Sequence, residues 1–140
     1  MRKHWDWSGW TEDWLPLLDA YKTAPDLPGV YIIAADRAIH RLVGVDEHGI
    51  LDIGESDSLQ ARLSAFVGCA RGTRQAGHSA GWRFLDNKFA EHFPLESLWV
   101  SWRTAHNKEE AHAGESQYLS TYLSLHYELP PLNHQFNWSA

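Results

Sequence analysis

A chain of 140 residues, 44% of them hydrophobic, has the length and apolar content of a folded domain with a real core, which excludes a disordered polypeptide. No apolar run approaches the roughly 18 residues of a membrane span, the opening Met1-Arg2-Lys3-His4-Trp5-Asp6-Trp7 lacks the apolar stretch of a signal peptide, and the single Cys69 excludes an internal disulfide; no membrane partner is expected, and the expected compartment is the cytoplasm. Eighteen acidic residues against 12 basic ones leave a net charge of -6, so a polyanionic partner has to be met by a local positive face rather than by the molecule as a whole.

Residues 1–27 form a tryptophan-rich leader, set apart from a body at residues 28–140. Trp7, Trp10 and Trp14 stand at i, i+3 and i+7, with Leu17 and Leu18 extending the stripe. This spacing predicts a short amphipathic helix docked on the body, beginning or breaking near Pro16; stacking of these indoles on nucleotide bases is the functional alternative. Pro25-Asp26-Leu27-Pro28-Gly29 reads as a turn. Residues 30–35, 39–45 and 50–54 read as three strands of an antiparallel meander, with Asp46-Glu47-His48-Gly49 as the second turn. Ser56-Asp57-Ser58 supplies a helix cap, Leu59, Leu63, Phe66 and Val67 form the apolar stripe behind it, and Gly68 and Gly72 close that region. Residues 76–81 read as a flexible connection. Trp82, Leu85, Phe89 and Phe93 then recur at helical spacing up to Pro94, residues 98–104 alternate as a strand, and residues 108–127 form a long helix with Tyr118, Leu119, Tyr122 and Leu123 on one face. Pro130-Pro131-Leu132-Asn133 ends the pattern. The expected fold is α+β, a small and mainly antiparallel central sheet flanked by helices.

Several polar residues fall where apolar ones are expected. Arg62 sits three residues after Leu59 and four before Phe66, on or beside the buried face of its helix, where a guanidinium needs a partner. Glu115 stands in line with Tyr118, Leu119 and Tyr122, which aims a carboxylate at the sheet, where a divalent cation or Arg62 would satisfy it. Asp52 lies inside a strand, where aspartate is disfavoured, and a simple alternation puts it on the face of Ile50 and Gly54, opposite Leu51 and Ile53. Tyr31 lies between Val30 and Ile32, and His78 in a glycine-flanked loop. Residues 58–85 contain no acidic side chain but hold Arg62, Arg71, Arg74 and Arg83, the expected positive face. No zinc-ligand spacing, phosphate-binding glycine loop, dinucleotide fingerprint or nucleophile elbow is present.

Taken in order, Gly29-Val30-Tyr31, Asp52-Ile53-Gly54, Arg62 eight residues after that glycine, Glu115 on the late helix and the closing Pro131-x-Asn133 resemble the GIY-YIG nuclease superfamily from about Pro28 to Asn133. The resemblance implies hydrolysis of a nucleic-acid phosphodiester, in the first place DNA, with one Mg²⁺ or Mn²⁺. It implies Glu115 as the metal ligand, Tyr31 as the residue that positions or deprotonates water, Arg62 as the phosphate clamp and His78 as an auxiliary. Arg71, Arg74 and Arg83 are the expected nucleic-acid contacts. The second tyrosine of the family is Asp52 here, and Phe66 stands where several members carry a histidine. A catalytically inactive domain of the same fold that binds nucleic acid or protein is the alternative, as is an interaction module built on the tryptophan leader.

Overall fold

The computed structural model describes residues 6–74, 78–86 and 88–133. Three runs carrying β-branched, aliphatic or aromatic residues build the sheet: β2 (Gly29–Ala34), β5 (Ile50–Ser56) and β6 (Trp99–Thr104), joined by the two-residue β1 (Leu15–Pro16). Their order is β1-β6-β2-β5, with every pair antiparallel. β2 is central and wholly buried because both faces of the sheet are covered. Its odd and even residues part accordingly. Tyr31 and Ile33 join Leu63, Phe66 and Phe84 on one side, while Val30, Ile32 and Ala34 meet Tyr118, Leu119 and Tyr122 on the other. The first side is covered by α1 (Leu17–Ala20), α2 (Leu59–Arg71) and α3 (Ser79–Asp86), the second by α4 (Lys108–His126) and the tryptophan leader. The four-stranded antiparallel sheet with its four helices is the α+β architecture expected from the sequence. Among the described residues no helix is long and apolar enough to cross a membrane.

The capping signals hold: Ser58 accepts the Ala61 N–H to start α2, Gly72 ends it in the left-handed region at φ +74°, and Asn107 accepts the Glu110 N–H to start α4. Four other expectations are corrected. The leader is not helical between Trp7 and Trp14. Ser8 and Gly9 have φ of 50° and 83°, and Trp7 and Trp10 exchange backbone hydrogen bonds across them, so the two indoles land together because they flank a two-residue turn. The helical part of the described leader starts only at Pro16, with α1 and a short 3-10 turn over Tyr21–Thr23 behind it. Trp7, Trp10 and Trp14 are all buried, which leaves them no face for bases or for a partner.

The middle strand is the second correction. Residues 39–45 hold no strand of the main sheet; they contribute to a separate ribbon, β3 (Ile39–His40) paired with β4 (Val45–Asp46). β2 already carries β5 on one edge and β6 on the other, so no edge remains for it. The ribbon is tied instead to the end of α4, through Arg41 to Glu128 at 2.8 Å and His126 Nδ1 to the Val43 carbonyl at 3.0 Å. Third, the helix expected over residues 82–93 starts earlier and stops sooner: α3 runs Ser79–Asp86, buries Phe84 rather than Leu85, and is followed by Lys88 at φ +56°. Of the connection expected at residues 76–81, residues 76 and 77 lie outside the described residues. Last, Leu123 is partly exposed rather than packed with Tyr118 and Tyr122.

Candidate active site

A β-bulge sets up the site. β2 and β5 run in register from Gly29↔Ser56 to Ile33↔Asp52, and then Ala34 pairs with Ile50, which leaves Leu51 as the extra residue. Simple alternation fails at that point. Ile50 and Ile53 both face α4, whereas Leu51 packs with Tyr31 on the α2 side. Asp52 therefore shares its face with Leu51 and Gly54, not with Ile50. Tyr31 is directly opposite Gly54 and diagonal to Asp52, a separation that an aromatic side chain spans. Gly54 has to be glycine for this, because a Cβ there would lie 2.2 Å from the Tyr31 hydroxyl oxygen. The ring lies across the glycine, and its hydroxyl donates to Asp52 Oδ2 at 3.1 Å.

His78 completes the chain of hydrogen bonds from the other side. It stands immediately before α3, and its Nδ1 accepts the Gly81 N–H at 3.3 Å, so the imidazole is that helix's cap. Its Nε2 lies 2.7 Å from the Tyr31 hydroxyl, and Phe66 meets the imidazole edge-on at 5.2 Å between centroids. α3 approaches α2 closely enough for this because residue 81 is glycine: a Cβ would lie 2.8 Å from the Phe66 carbonyl oxygen and from Cys69 Cβ.

Arg62 projects from α2 toward the same phenol. Tyr31, Asp52, Arg62, His78, Glu115 and Asn133 line one pocket of about 160 Å³. The five candidate catalytic residues of the sequence, spread over four elements and one helix cap, thus share a single cavity. The sixth, Asn133, carried part of the resemblance without being read as a site residue. Its side chain accepts the Ile53 N–H at 3.0 Å and donates to the Ile53 carbonyl at 2.9 Å, and the neighbouring Leu132 N–H bonds the Leu51 carbonyl at 2.8 Å. The closing segment so extends the open edge of β5. Arg83 spends Nη1 and Nη2 on the carbonyls of Leu132 and Pro131, at 2.9 and 3.3 Å, which makes it a brace behind this wall. Arg71 and Arg74 are exposed at and just beyond the end of α2.

Burial governs the charges. Asp52 is 3% exposed, and desolvation raises its carboxyl to about 6, against the opposing pull of the Tyr31 hydrogen bond, Arg62 and Arg83. His78 is 3% exposed, and burial, with the charges of Arg62 and Arg74, lowers it to about 3, so it is neutral at neutral pH. Its 4.0 Å approach to Asp52 is therefore not an ion pair. The Tyr31 phenol is raised well above its ordinary value by burial and by Asp52, with Arg62 opposing. A buried phenol of that kind is no base by itself at neutral pH.

No family model matches the sequence, and no curated protein matches it either. Solved structures do. The GIY-YIG N-terminal endonuclease domain of UvrC from Thermotoga maritima, bound to magnesium, superposes with a TM-score of 0.50 over 84% of this chain and 96% of that one, at 19% identity. A point variant of the same Thermotoga maritima domain, bound to its catalytic divalent cation, gives 0.51 over 85% and 96%, at 18% identity. The chain has the GIY-YIG endonuclease-domain fold. Within this fold Tyr31 lies on β2, Asp52 on β5, Arg62 on α2 and Glu115 on α4.

Proposed function

We propose that the chain is a metal-dependent endonuclease that hydrolyses phosphodiester bonds of DNA. The observation that carries this is the convergence of a phenol, a guanidinium, a carboxylate and a neutral imidazole on one small pocket, in a fold shared with magnesium-bound nuclease domains. The donor set suits a hard cation that keeps most of its water. Among the described residues no group of three acidic, histidine or cysteine side chains could cage an ion. Mg²⁺ or Mn²⁺, however, is commonly held by one or two carboxylates together with water and substrate phosphate, and Glu115, which lines the pocket, would supply one. Bound there, such a cation would polarise the scissile phosphate and stabilise charge on the leaving oxygen.

The remaining work falls to the chain's own residues. Arg62 offers a guanidinium fork to the phosphate oxygens, where negative charge grows as phosphorus becomes five-coordinate. Tyr31, held between Asp52 and His78, fixes the attacking water. Arg71 and Arg74 track the DNA backbone from the end of α2, and Arg83 adds its charge from behind the wall. Together they give an acidic protein one positive approach. Cleavage of labelled single- and double-stranded DNA with Mg²⁺ or Mn²⁺ tests the reading. Turnover is expected to vanish with EDTA and to fall at least about 100-fold in Glu115→Gln and in Arg62→Ala. Salt-sensitive DNA binding with no turnover would reject the enzyme and leave a binding domain of the same fold.

A further inference from the structure

We propose that Asp52, acting through Tyr31, takes the proton that the attacking water gives up, so that in this chain a carboxylate is the final base of the reaction. The proposal rests on the hydrolase reading above. Its starting point is the direction of the hydrogen bonds. His78 Nδ1 accepts from the Gly81 N–H, so the neutral ring carries its single proton on Nε2, 2.7 Å from the Tyr31 oxygen. Nε2 must then donate to that oxygen. The phenol's own proton is turned away from His78 and toward Asp52 Oδ2, 3.1 Å away. The helix cap thus sets the tautomer, the tautomer sets the rotor of the hydroxyl, and the rotor selects Asp52 as acceptor. Asp52 touches the phenol rather than the substrate, and is by this argument a positioning residue.

The transfer balances. As the water oxygen forms its bond to phosphorus, one water O–H bond breaks and the proton passes to Tyr31 Oη. The phenol proton passes to Asp52 Oδ2, so Tyr31 is neutral before and after. The bond from phosphorus to the leaving oxygen breaks with its electron pair on that oxygen, which is protonated by solvent, and Asp52 returns its proton to solvent before the next turnover. The groups facing Asp52 are Tyr31 from β2, Arg62 from α2, His78 and Arg83 from the head and body of α3, and Glu115 across the pocket from α4. Two of these are cationic, which keeps Asp52 ionised and able to accept at neutral pH despite its burial.

The test combines turnover with a readout that needs no turnover. Asp52→Asn still accepts from Tyr31 but takes no proton. It is expected to cleave DNA at least about 100-fold more slowly than the parent with unchanged DNA affinity, and to lose the acid limb of the pH–rate profile; Asp52→Glu restores part of the rate. In the resting protein, ¹⁵N spectra are expected to show His78 as the Nε2-protonated tautomer, and ¹³C-carboxyl spectra to show the Asp52 midpoint moving upward in Tyr31→Phe, which removes a donor to the carboxylate. Cleavage by Asp52→Asn at the parent rate, an Nδ1-protonated His78, or an Asp52 midpoint unmoved by Tyr31→Phe would overturn the relay alone. A parent chain that cleaves nothing would overturn the hydrolase reading and the relay with it.

Discussion

Asp52 and His78 lie 4.0 Å apart with proton affinities displaced in opposite directions, and their effects on stability oppose each other. Asp52 moves from 3.8 to about 6, so between those values the folded chain binds more protons than the unfolded one, and stability falls as pH rises. His78 moves from 6.5 to about 3, so across that window the folded chain binds fewer protons, and stability rises with pH. Lowering the pH from 6.5 to 4.5 costs about 2 kcal/mol through His78, and Asp52 returns most of it, so the pair together changes little. Asp52→Asn removes the compensation. Urea melts of the parent and the variant at a series of pH values are the assay. The difference in unfolding free energy is expected to open by about 2 kcal/mol between pH 6.5 and 4.5, the variant losing stability on the acid side, with a matching fall of about 6 °C in Tm. A variant whose stability follows pH in parallel with the parent would refute the reasoning, since the Asp52 carboxyl would then not be raised by burial as described.

Three further substitutions probe the packing at the pocket and on the opposite face of the sheet. Gly54→Ala puts a methyl group 2.2 Å from the Tyr31 oxygen and is expected to cost about 1–3 kcal/mol in a urea melt while displacing the phenol from Asp52; an unchanged midpoint would contradict the close approach. Asn133→Ala removes both bonds to Ile53, and is expected to lower stability by about 1–3 kcal/mol and to speed exchange of the Ile53 amide, with no faster exchange counting against the clamp. Trp10→Phe removes the buried bond from the indole nitrogen to Ser101 Oγ at 2.8 Å; a loss of about 1–2 kcal/mol is expected, smaller when Ser101→Ala is added, and strict additivity of the two would show that the pair does not interact.

Much of this molecule is legible in its sequence because local rules and tertiary structure agree over most of it. Ser58 and Asn107 mark helix starts whose side chains do cap, and Arg62 and Glu115, each in line with an apolar stripe, do turn toward a shared pocket. The misreadings have one physical origin, which is that different backbones give the same spacing. Trp7 and Trp10 are three apart across a tight turn, as they would be on a helix. Residues 39–45 have strand composition, but the carboxylate of Asp46 gathers the N–H groups of His48, Gly49 and Ile50 and the hydroxyl of Tyr122, folding the segment into a ribbon beside α4. The bulge at Leu51 leaves no trace in the residue pattern, yet it decides which face Asp52 takes. His78 reads as a loop residue because histidine is not among the usual caps.

The wall supplied by Leu132 and Asn133 has a consequence for biosynthesis. Tyr31, Asp52 and Arg62 leave the ribosome early, but the strip that closes their cavity, with the Arg83 bonds that depend on it, is made only after α4 has been translated. A nascent chain therefore carries Tyr31, Asp52 and Arg62 for a long stretch of its synthesis before Leu132 and Asn133 enclose them. An unfinished polypeptide thus holds these three side chains against a cavity with one wall missing, and the pocket takes its final shape only once synthesis has passed Asn133.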